Sequence, residues 1–126
     1  SDLDKIIPDS YENKQSLMSL CDLYGEIDII QSAKESFSYF ETTQNFMDDL
    51  EGLATKLTNK PGITLHVDLG EVQGFKYHNG VVFSAYADSA GYVLAKGGRY
   101  DGLRKQSDHD RPAVGFDLDL VSVSNL

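Results

Sequence analysis

The tetrapeptide Asn59-Lys60-Pro61-Gly62 separates two halves of the chain that differ in hydrophobic periodicity. A proline cannot continue a helix and forces the residue before it toward extended geometry, so a helix must end here. Before this break, apolar residues recur every three or four positions; after it, they alternate or form short β-branched runs. Helices followed by antiparallel strands predict an α+β fold, with a helical segment over 1–60 and a sheet segment over 61–126.

The first half carries three apolar stripes at helical spacing, which predict three amphipathic helices. The stripes are Leu17, Leu20, Cys21 and Tyr24; then Ile27, Ile30, Ala33 or Lys34, Phe37 and Phe40; then Phe46, Leu50, Leu53, Ala54 and Leu57. Gly25 separates the first stripe from the second. Pro8-Asp9, with Glu12 three positions after Asp9, predicts a helix start, and Thr42 or Thr43 is expected to cap the third helix.

Cys21 is the single cysteine of the chain, so no intramolecular disulfide can form and a reducing compartment is expected. It belongs to the first apolar stripe, and this spacing predicts a buried structural thiol rather than a nucleophile.

The sequence of the second half predicts strands separated by turns. β-branched and alternating residues predict a strand over 63–69, a hairpin formed by 80–87 and 91–96, and a last short strand over 113–116. Residues 88–91 are expected to form the hairpin loop, and 106–110 a polar loop.

The segment 92–95 leads into Gly97-Gly98, which is followed at once by Arg99, Tyr100 and Asp101. Glycines allow a positive φ or a close approach of backbone to a ligand, so we expect the strand to end here. A cation, an aromatic hydroxyl and a carboxylate would then lie together at the strand end. An ordinary surface turn is the alternative interpretation.

Asp117 and Asp119 alternate at the last strand or its end and should face the same side. They are either a solvated pair or acceptors for the amine of a ligand.

Composition narrows the class of protein. The 126 residues suffice for one domain, and 20 acidic against 11 basic residues give a formal charge of −9. An acidic chain repels phosphate backbones, so we expect no nucleic-acid partner. The sequence has neither an apolar run of membrane-spanning length nor a signal-peptide pattern, which predicts a cytoplasmic protein without membrane contact. The histidines lack zinc spacing, and no Gly-x-Ser-x-Gly occurs, so we expect neither a metal, nor another cofactor, nor a hydrolase triad.

Four motifs carry a family resemblance over about residues 64–120. They are Asp68-Leu69-Gly70-Glu71, Tyr77-His78-Asn79-Gly80-Val81-Val82-Phe83, Gly97-Gly98-Arg99-Tyr100-Asp101 and Arg111-Pro112-Ala113-Val114-Gly115-Phe116-Asp117-Leu118-Asp119-Leu120. In this order they resemble the catalytic domain of histidyl-tRNA synthetases. They resemble still more the synthetase-like regulatory subunits of ATP phosphoribosyltransferase, the first enzyme of histidine biosynthesis. The resemblance implies that 1–126 is part of a class II aminoacyl-tRNA synthetase-like domain.

Two departures from the synthetase pattern matter for chemistry. The resemblance places the catalytic arginine of synthetases at Gln73, and the arginine that grips ATP phosphate at Ser122. Without these cations, the negative charge developing on an adenylate would go unstabilised. The resemblance therefore implies a regulatory subunit that is not an enzyme, required for the activity and the histidine feedback of ATP phosphoribosyltransferase.

The resemblance further implies a pocket of the size of histidine. Its candidate residues are Gln73, Tyr77, His78, Gly97, Gly98 and Tyr100. The implied partners are the catalytic subunit of ATP phosphoribosyltransferase and free histidine as an effector, with homo-oligomerisation of the full-length parent.

Two alternatives remain open at this point. One is a diverged histidyl-tRNA synthetase or amino-acid-activating paralogue, and the other is a generic α+β binding module. If the chain is part of a larger domain, apolar faces should be exposed, and the candidates are Phe37, Phe40, Val82, Phe83 and Tyr86.

Overall fold

The computed structural model describes residues 5–71, 78–88, 91–101 and 112–126. These residues belong to two compact units, Ser1–Glu71 and Val72–Leu126, each described below on its own. The first unit is mainly helical and the second mainly an antiparallel sheet, so the predicted α+β class is confirmed.

From residue 14 to residue 71, the described part of the first unit contains three α-helices and a sheet of two short strands. In chain order its elements are α1 (Lys14–Ser19), a 3-10 turn (Leu20–Asp22), β1 (Tyr24–Gly25), α2 (Ile29–Ser36), α3 (Glu41–Thr58) and β2 (Val67–Asp68). The two short strands pair antiparallel, with Tyr24 opposite Asp68. The backbone N–H of Leu69 extends this pairing by donating to the carbonyl of Leu23 at 3.0 Å.

The core of this unit lies between α2, α3 and the short strands. It consists of Leu23, Ile30, Ala33, Phe37, Met47, Ala54 and Val67. A polar link joins the two helices at their rim, because the Lys34 ammonium lies 2.7 Å from the Asp48 carboxylate and 2.6 Å from that of Glu51. Gln44 also donates to the carbonyls of Lys34 and Phe37, which satisfies the C-terminal end of α2.

The described residues of the second unit form three antiparallel strands in the order β3-β4-β5. The strands are β3 (Val82–Tyr86), β4 (Val93–Asp101) and β5 (Pro112–Leu118), and a five-residue helix, α4 (Leu120–Ser124), follows the last one. The central strand β4 therefore has a neighbour on each side.

The predicted helical stripes are correct in part. The break at Asn59 is confirmed, since α3 ends at Thr58 and Gly62 has a φ of 77°. The second stripe is confirmed by the burial of Ile30, Ala33 and Phe37. In the third stripe, Ala54 is buried, whereas the side chains of Phe46 and Leu53 are 53% and 43% exposed. Met47, outside that stripe, is buried instead.

The prediction of a buried Cys21 is wrong, because its thiol is exposed. The helix α1 ends at Ser19 and tightens into a 3-10 turn, so the 3.6-residue spacing assumed for the first stripe does not continue. Tyr24 lies in β1 and is 68% exposed, and the buried residue of this region is Leu23.

The predicted helix starts are also wrong. The N-cap of α3 is Phe40, without a side-chain cap, so neither Thr42 nor Thr43 has that role. After Pro8-Asp9 the chain forms turns before α1 begins at Lys14. The Asp9 carboxylate accepts a hydrogen bond from the Lys14 ammonium at 2.7 Å, and this contact lowers the pKa of Asp9.

Three predictions about the strands need correction. The segment 63–69 forms a strand only at Val67–Asp68. The last strand is longer than expected and runs from Pro112 to Leu118. Most important, β4 does not end at Gly97-Gly98 but continues through both glycines to Asp101. The loop residues 89–90 and 106–110 lie outside the described residues.

The five residues that were expected to form exposed apolar faces differ in how much of each is exposed to solvent. Phe37 is 6% exposed, so its prediction as a surface residue is wrong, because it packs in the core of the first unit. Phe40, Phe83 and Tyr86 are 37%, 44% and 64% exposed, and Val82 is partly buried.

Candidate functional site

The two faces of the sheet differ in chemistry, and the strand register assigns the residues to each face. Antiparallel partners point to the same side, and so do alternate residues along one strand. The face that we call the cleft face carries three cross-strand rows: Ser84, Lys96 and Asp117; Val82, Gly98 and Gly115; Tyr100 and Ala113. The opposite face carries Phe83, Gly97 and Phe116 as one row, with Val114 and Leu118 on the rows beside it.

Two adjacent glycines form the floor of the cleft face. A Cβ atom at Gly98 would lie 2.8 Å from Cδ2 of His78, and one at Gly115 would lie 3.1 Å from the Tyr100 hydroxyl oxygen. Since Gly98 and Gly115 are direct register partners, the rings of His78 and Tyr100 lie over neighbouring positions of one row. The glycines therefore provide space for two rings.

An open cleft of about 940 Å³ is lined by Gly115 of this floor and by His78 and Tyr100. The residues with polar or charged groups that line it are His78, Ser84, Lys96, Tyr100, Asp117 and Asp119. Its volume is in the range of sites for small molecules, which usually combine an apolar or aromatic wall with a few fixed polar groups.

Arg99 and Asp101 do not join Tyr100 in the cleft, contrary to the expected convergence of the three residues. Because side chains alternate along a strand, Tyr100 points to one side of β4 and its two neighbours to the other. The Arg99 Nε atom donates to Asp101 Oδ2 at 2.9 Å, and Asp101 Oδ1 accepts from the Ala113 backbone N–H at 3.2 Å. These two residues therefore secure the sheet.

Asn79 secures the same strand end and was not singled out from the sequence. Its side-chain oxygen accepts from the Asp101 N–H at 2.8 Å, and its amide nitrogen donates to the Asp101 carbonyl at 3.1 Å. Together with the backbone bond from Asn79 to Arg99, this extends the pairing of β4 beyond the start of β3. Asn79 thereby fixes the backbone next to His78.

Asp119 and Ser122 form the N-terminal cap of α4. Asp119 Oδ1 accepts from the backbone N–H groups of Val121 and Ser122 at 3.1 and 3.0 Å, and Oδ2 accepts from the Ser122 hydroxyl at 2.7 Å. The hydrogen bond from the Ser122 hydroxyl has the largest effect on the pKa of Asp119, followed by the bond from the Ser122 backbone N–H. Both lower this pKa below its ordinary value. Asp117 and Asp119 both line the cleft, but the Asp119 carboxylate is already engaged in the cap of α4.

Lys96 and Asp117 are direct register partners on the cleft face. Within the described ranges, no ion pair includes either side chain. The candidate residues chosen from the sequence did not include Lys96. Its position two residues before Gly98 is the signal that could have found it, because that spacing puts both residues on one face of a strand.

The structure brings some of the predicted site residues together. His78 and Tyr100 line the cleft, as do backbone atoms of Gly97, and Gly98 lies directly beneath His78. Gln73 and Tyr77 lie outside the described residues, so their roles stay predictions. Among the residues that the structure describes, no group of three or more histidine, cysteine or acidic side chains could hold a metal ion, and no helix is long and apolar enough to cross a membrane.

The structural comparison shows that the chain has a class II synthetase-like fold. Its structure matches a crystal structure described as an ATP phosphoribosyltransferase regulatory subunit/histidyl-tRNA synthetase from Bacillus halodurans C, with a TM-score of 0.70 and 27% sequence identity. The match covers 90% of this chain and 30% of that one. The family description Histidyl-tRNA synthetase matches residues 2–123. The chain belongs to the histidyl-tRNA synthetase family.

Relatives within this family are named as regulatory subunits. The chain is 33% identical to the ATP phosphoribosyltransferase regulatory subunit of Cupriavidus metallidurans over 95% of its length, and 35% identical to that of Nitrosospira multiformis over 90%. It spans 30% and 28% of the length of these two relatives.

Proposed function

We propose that the protein carrying this chain is a non-catalytic regulatory subunit of ATP phosphoribosyltransferase. It assembles with the catalytic subunit, which depends on it for activity. The observation that carries this proposal is the similarity to curated regulatory subunits, at 32–35% identity over about nine-tenths of the chain. Residues 1–126 would form part of a larger synthetase-like domain in a homo-oligomeric cytoplasmic protein.

The residue at position 122 supports a non-catalytic role. Ser122 occupies the position at which the family resemblance puts the phosphate-binding arginine of synthetases, and its hydroxyl is hydrogen-bonded to Asp119. A short neutral side chain engaged in a helix cap supplies no cation for a polyphosphate, and Asp119 beside it adds negative charge. The expected departure at Gln73 would remove a second cation. Amino-acid activation therefore lacks its electrostatic requirements.

The cleft on the sheet is the proposed binding site for free histidine. Tyr100 offers a ring wall and a hydroxyl, and His78 offers an imidazole that can donate or accept a hydrogen bond. Binding there would regulate the catalytic subunit through a coupling free energy between the two sites. A cleft of about 940 Å³ leaves ample room for one amino acid.

Calorimetry of histidine binding to the protein carrying this chain tests the proposed site. Tyr100→Ala should weaken histidine binding about tenfold or more, because the ring contributes both a wall and a hydroxyl. Tyr39→Ala is the matched control, since Tyr39 is 93% exposed and does not line the cleft. Equal affinities of the wild type and Tyr100→Ala would reject the cleft as the histidine site.

A second assay separates the proposal from the synthetase alternative. We expect no histidine-dependent exchange between ATP and pyrophosphate above a control without protein, because the cations that stabilise an adenylate are replaced. Exchange above that control would show amino-acid activation and would overturn the non-catalytic assignment.

A further inference from the structure

The charged row of the cleft face provides the starting point. Lys96 of β4 and Asp117 of β5 are cross-strand partners, and both line the cleft. Opposite charges at such positions commonly form a solvated ion pair that contributes little. In the described part of the chain, however, neither side chain takes part in an ion pair within 4.0 Å. On this row the cleft thus presents a cation and an anion side by side, while the third charged group, the Asp119 carboxylate, is engaged in the cap of α4.

The glycine floor lies on the next row of the same face. Lys96 precedes Gly98 by two residues, and Asp117 follows Gly115 by two, so the Cα atoms of both residues lie about 7 Å along their strands from the floor. The rings of His78 and Tyr100 lie over that floor. The cleft therefore has an aromatic part and, one row away, a part that carries both signs of charge.

This arrangement matches the charge pattern of a free α-amino acid. The ammonium and carboxylate groups of such a ligand are attached to one carbon atom, and in an aromatic amino acid a single methylene separates that carbon from the ring. With the ring against His78 and Tyr100, the ligand carboxylate can reach Lys96 and the ammonium can reach Asp117. Charge-assisted hydrogen bonds of this kind are among the stronger ones in proteins.

We propose that Lys96 and Asp117 form a zwitterion subsite that binds the carboxylate and the ammonium of a free amino acid held in the cleft. This inference rests on the proposed function, in which the cleft binds histidine. It adds a specificity rule: a free amino acid is accepted, whereas a histidine within a peptide lacks both charges. It also gives a role in binding to Lys96 and Asp117, both of which are exposed in the described structure.

The test uses ligands that lack one charge each. Calorimetry on the protein carrying this chain compares histidine with histidinol, in which an alcohol replaces the carboxylate, and with imidazolepropionate, which lacks the ammonium. The wild type should bind histidine about tenfold more tightly than either analogue, since each loses one charge-assisted bond. Lys96→Met should weaken histidine binding about tenfold and leave histidinol binding unchanged. Asp117→Asn should weaken histidine binding and leave imidazolepropionate binding unchanged.

Lys56→Met is the matched control, because Lys56 is an exposed lysine on α3 outside the cleft and its loss should change none of the three affinities. Circular dichroism of each variant shows whether its fold is retained. If Lys96→Met weakens histidine and histidinol equally, or neither, the subsite is wrong while the histidine site stands. If the folded wild type binds no histidine, the proposed site fails and the subsite fails with it.

Discussion

Close packing, rather than turn geometry, explains the pair of glycines in β4. Among the described residues only Gly25 and Gly62 have positive φ angles, so neither Gly97 nor Gly98 adopts the backbone that favours glycine in turns. A Cβ atom at Gly97 would collide with the backbone carbonyl of Gly115 and lie 2.8 Å from the Cα atom of Phe116. The sequence predicted a positive φ or the close approach of a ligand at these glycines, whereas the groups that lie against Gly97 belong to the protein itself.

This packing predicts a large effect of a single methyl group. Gly97→Ala should lower the free energy of unfolding by roughly 1–3 kcal/mol, because the atoms in its way are backbone atoms that cannot rotate aside. Gly52→Ala is the control: it lies within α3 with no atom within 4 Å of the added Cβ, and should raise stability by up to about 1 kcal/mol. Urea denaturation measures both, and a neutral Gly97→Ala would contradict the packing account.

The pKa of Asp119 offers a residue-level test of the α4 cap. Its pKa is lowered chiefly by the Ser122 hydroxyl, so Ser122→Ala should raise the pKa of Asp119 toward its ordinary value of about 3.9. Ser124→Ala removes a hydroxyl that donates to the Val121 carbonyl instead, and should leave that pKa unchanged. NMR titration of the Asp119 carboxyl carbon distinguishes the two variants, and an unchanged pKa in Ser122→Ala would refute the cap.

At the scale of elements, the sequence predicted the end of α3 better than its beginning. Pro61 and Gly62 impose backbone limits that hold in any context, so the stop at Thr58 could be located. The start of α3 could not be located in the same way. Thr42 or Thr43 can act as an N-cap only if the helix begins directly after it, and nothing in the local sequence requires that. Packing of Phe37 and the bonds from Gln44 to α2 instead fix the entry at Phe40.

The contact between α2 and α3 predicts a pH dependence at the alkaline end. The hydrogen bond from Lys34 to Asp48 raises the pKa of Lys34 most, and the bond to Glu51 raises it further. A raised pKa in the folded state means that this contribution to stability is present below the unfolded pKa of about 10.4 and is lost as the pH rises through the folded value.

Lys34→Met should therefore lower stability at pH 7 and weaken the decline in stability at alkaline pH. Lys56→Met, on the exposed side of α3, should leave that decline as in the wild type. Denaturation curves measured across the alkaline range compare the three proteins. Parallel declines for the wild type and Lys34→Met would show that the contacts of Lys34 do not contribute.

At the scale of the whole molecule, the sequence predicted the fold class and the family, whereas the site residues stay a prediction. The α+β class followed from the change in periodicity, and the family followed from four motifs within 64–120. Alternation along β4 could have separated Tyr100 from Arg99 and Asp101 only if the strand had been expected to continue. The glycines were interpreted as a strand end, and that interpretation concealed the placement of Lys96 on the cleft face.

The activity of a short-form ATP phosphoribosyltransferase catalytic subunit, measured alone and with the protein carrying this chain, tests the central proposal most directly. We expect low activity alone, a marked rise when the two proteins are mixed, and a fall when free histidine is added to the mixture. Co-elution of the two proteins should accompany the rise. A catalytic subunit that is fully active alone, and whose rate is unchanged by the added protein, would contradict the assignment as a regulatory subunit.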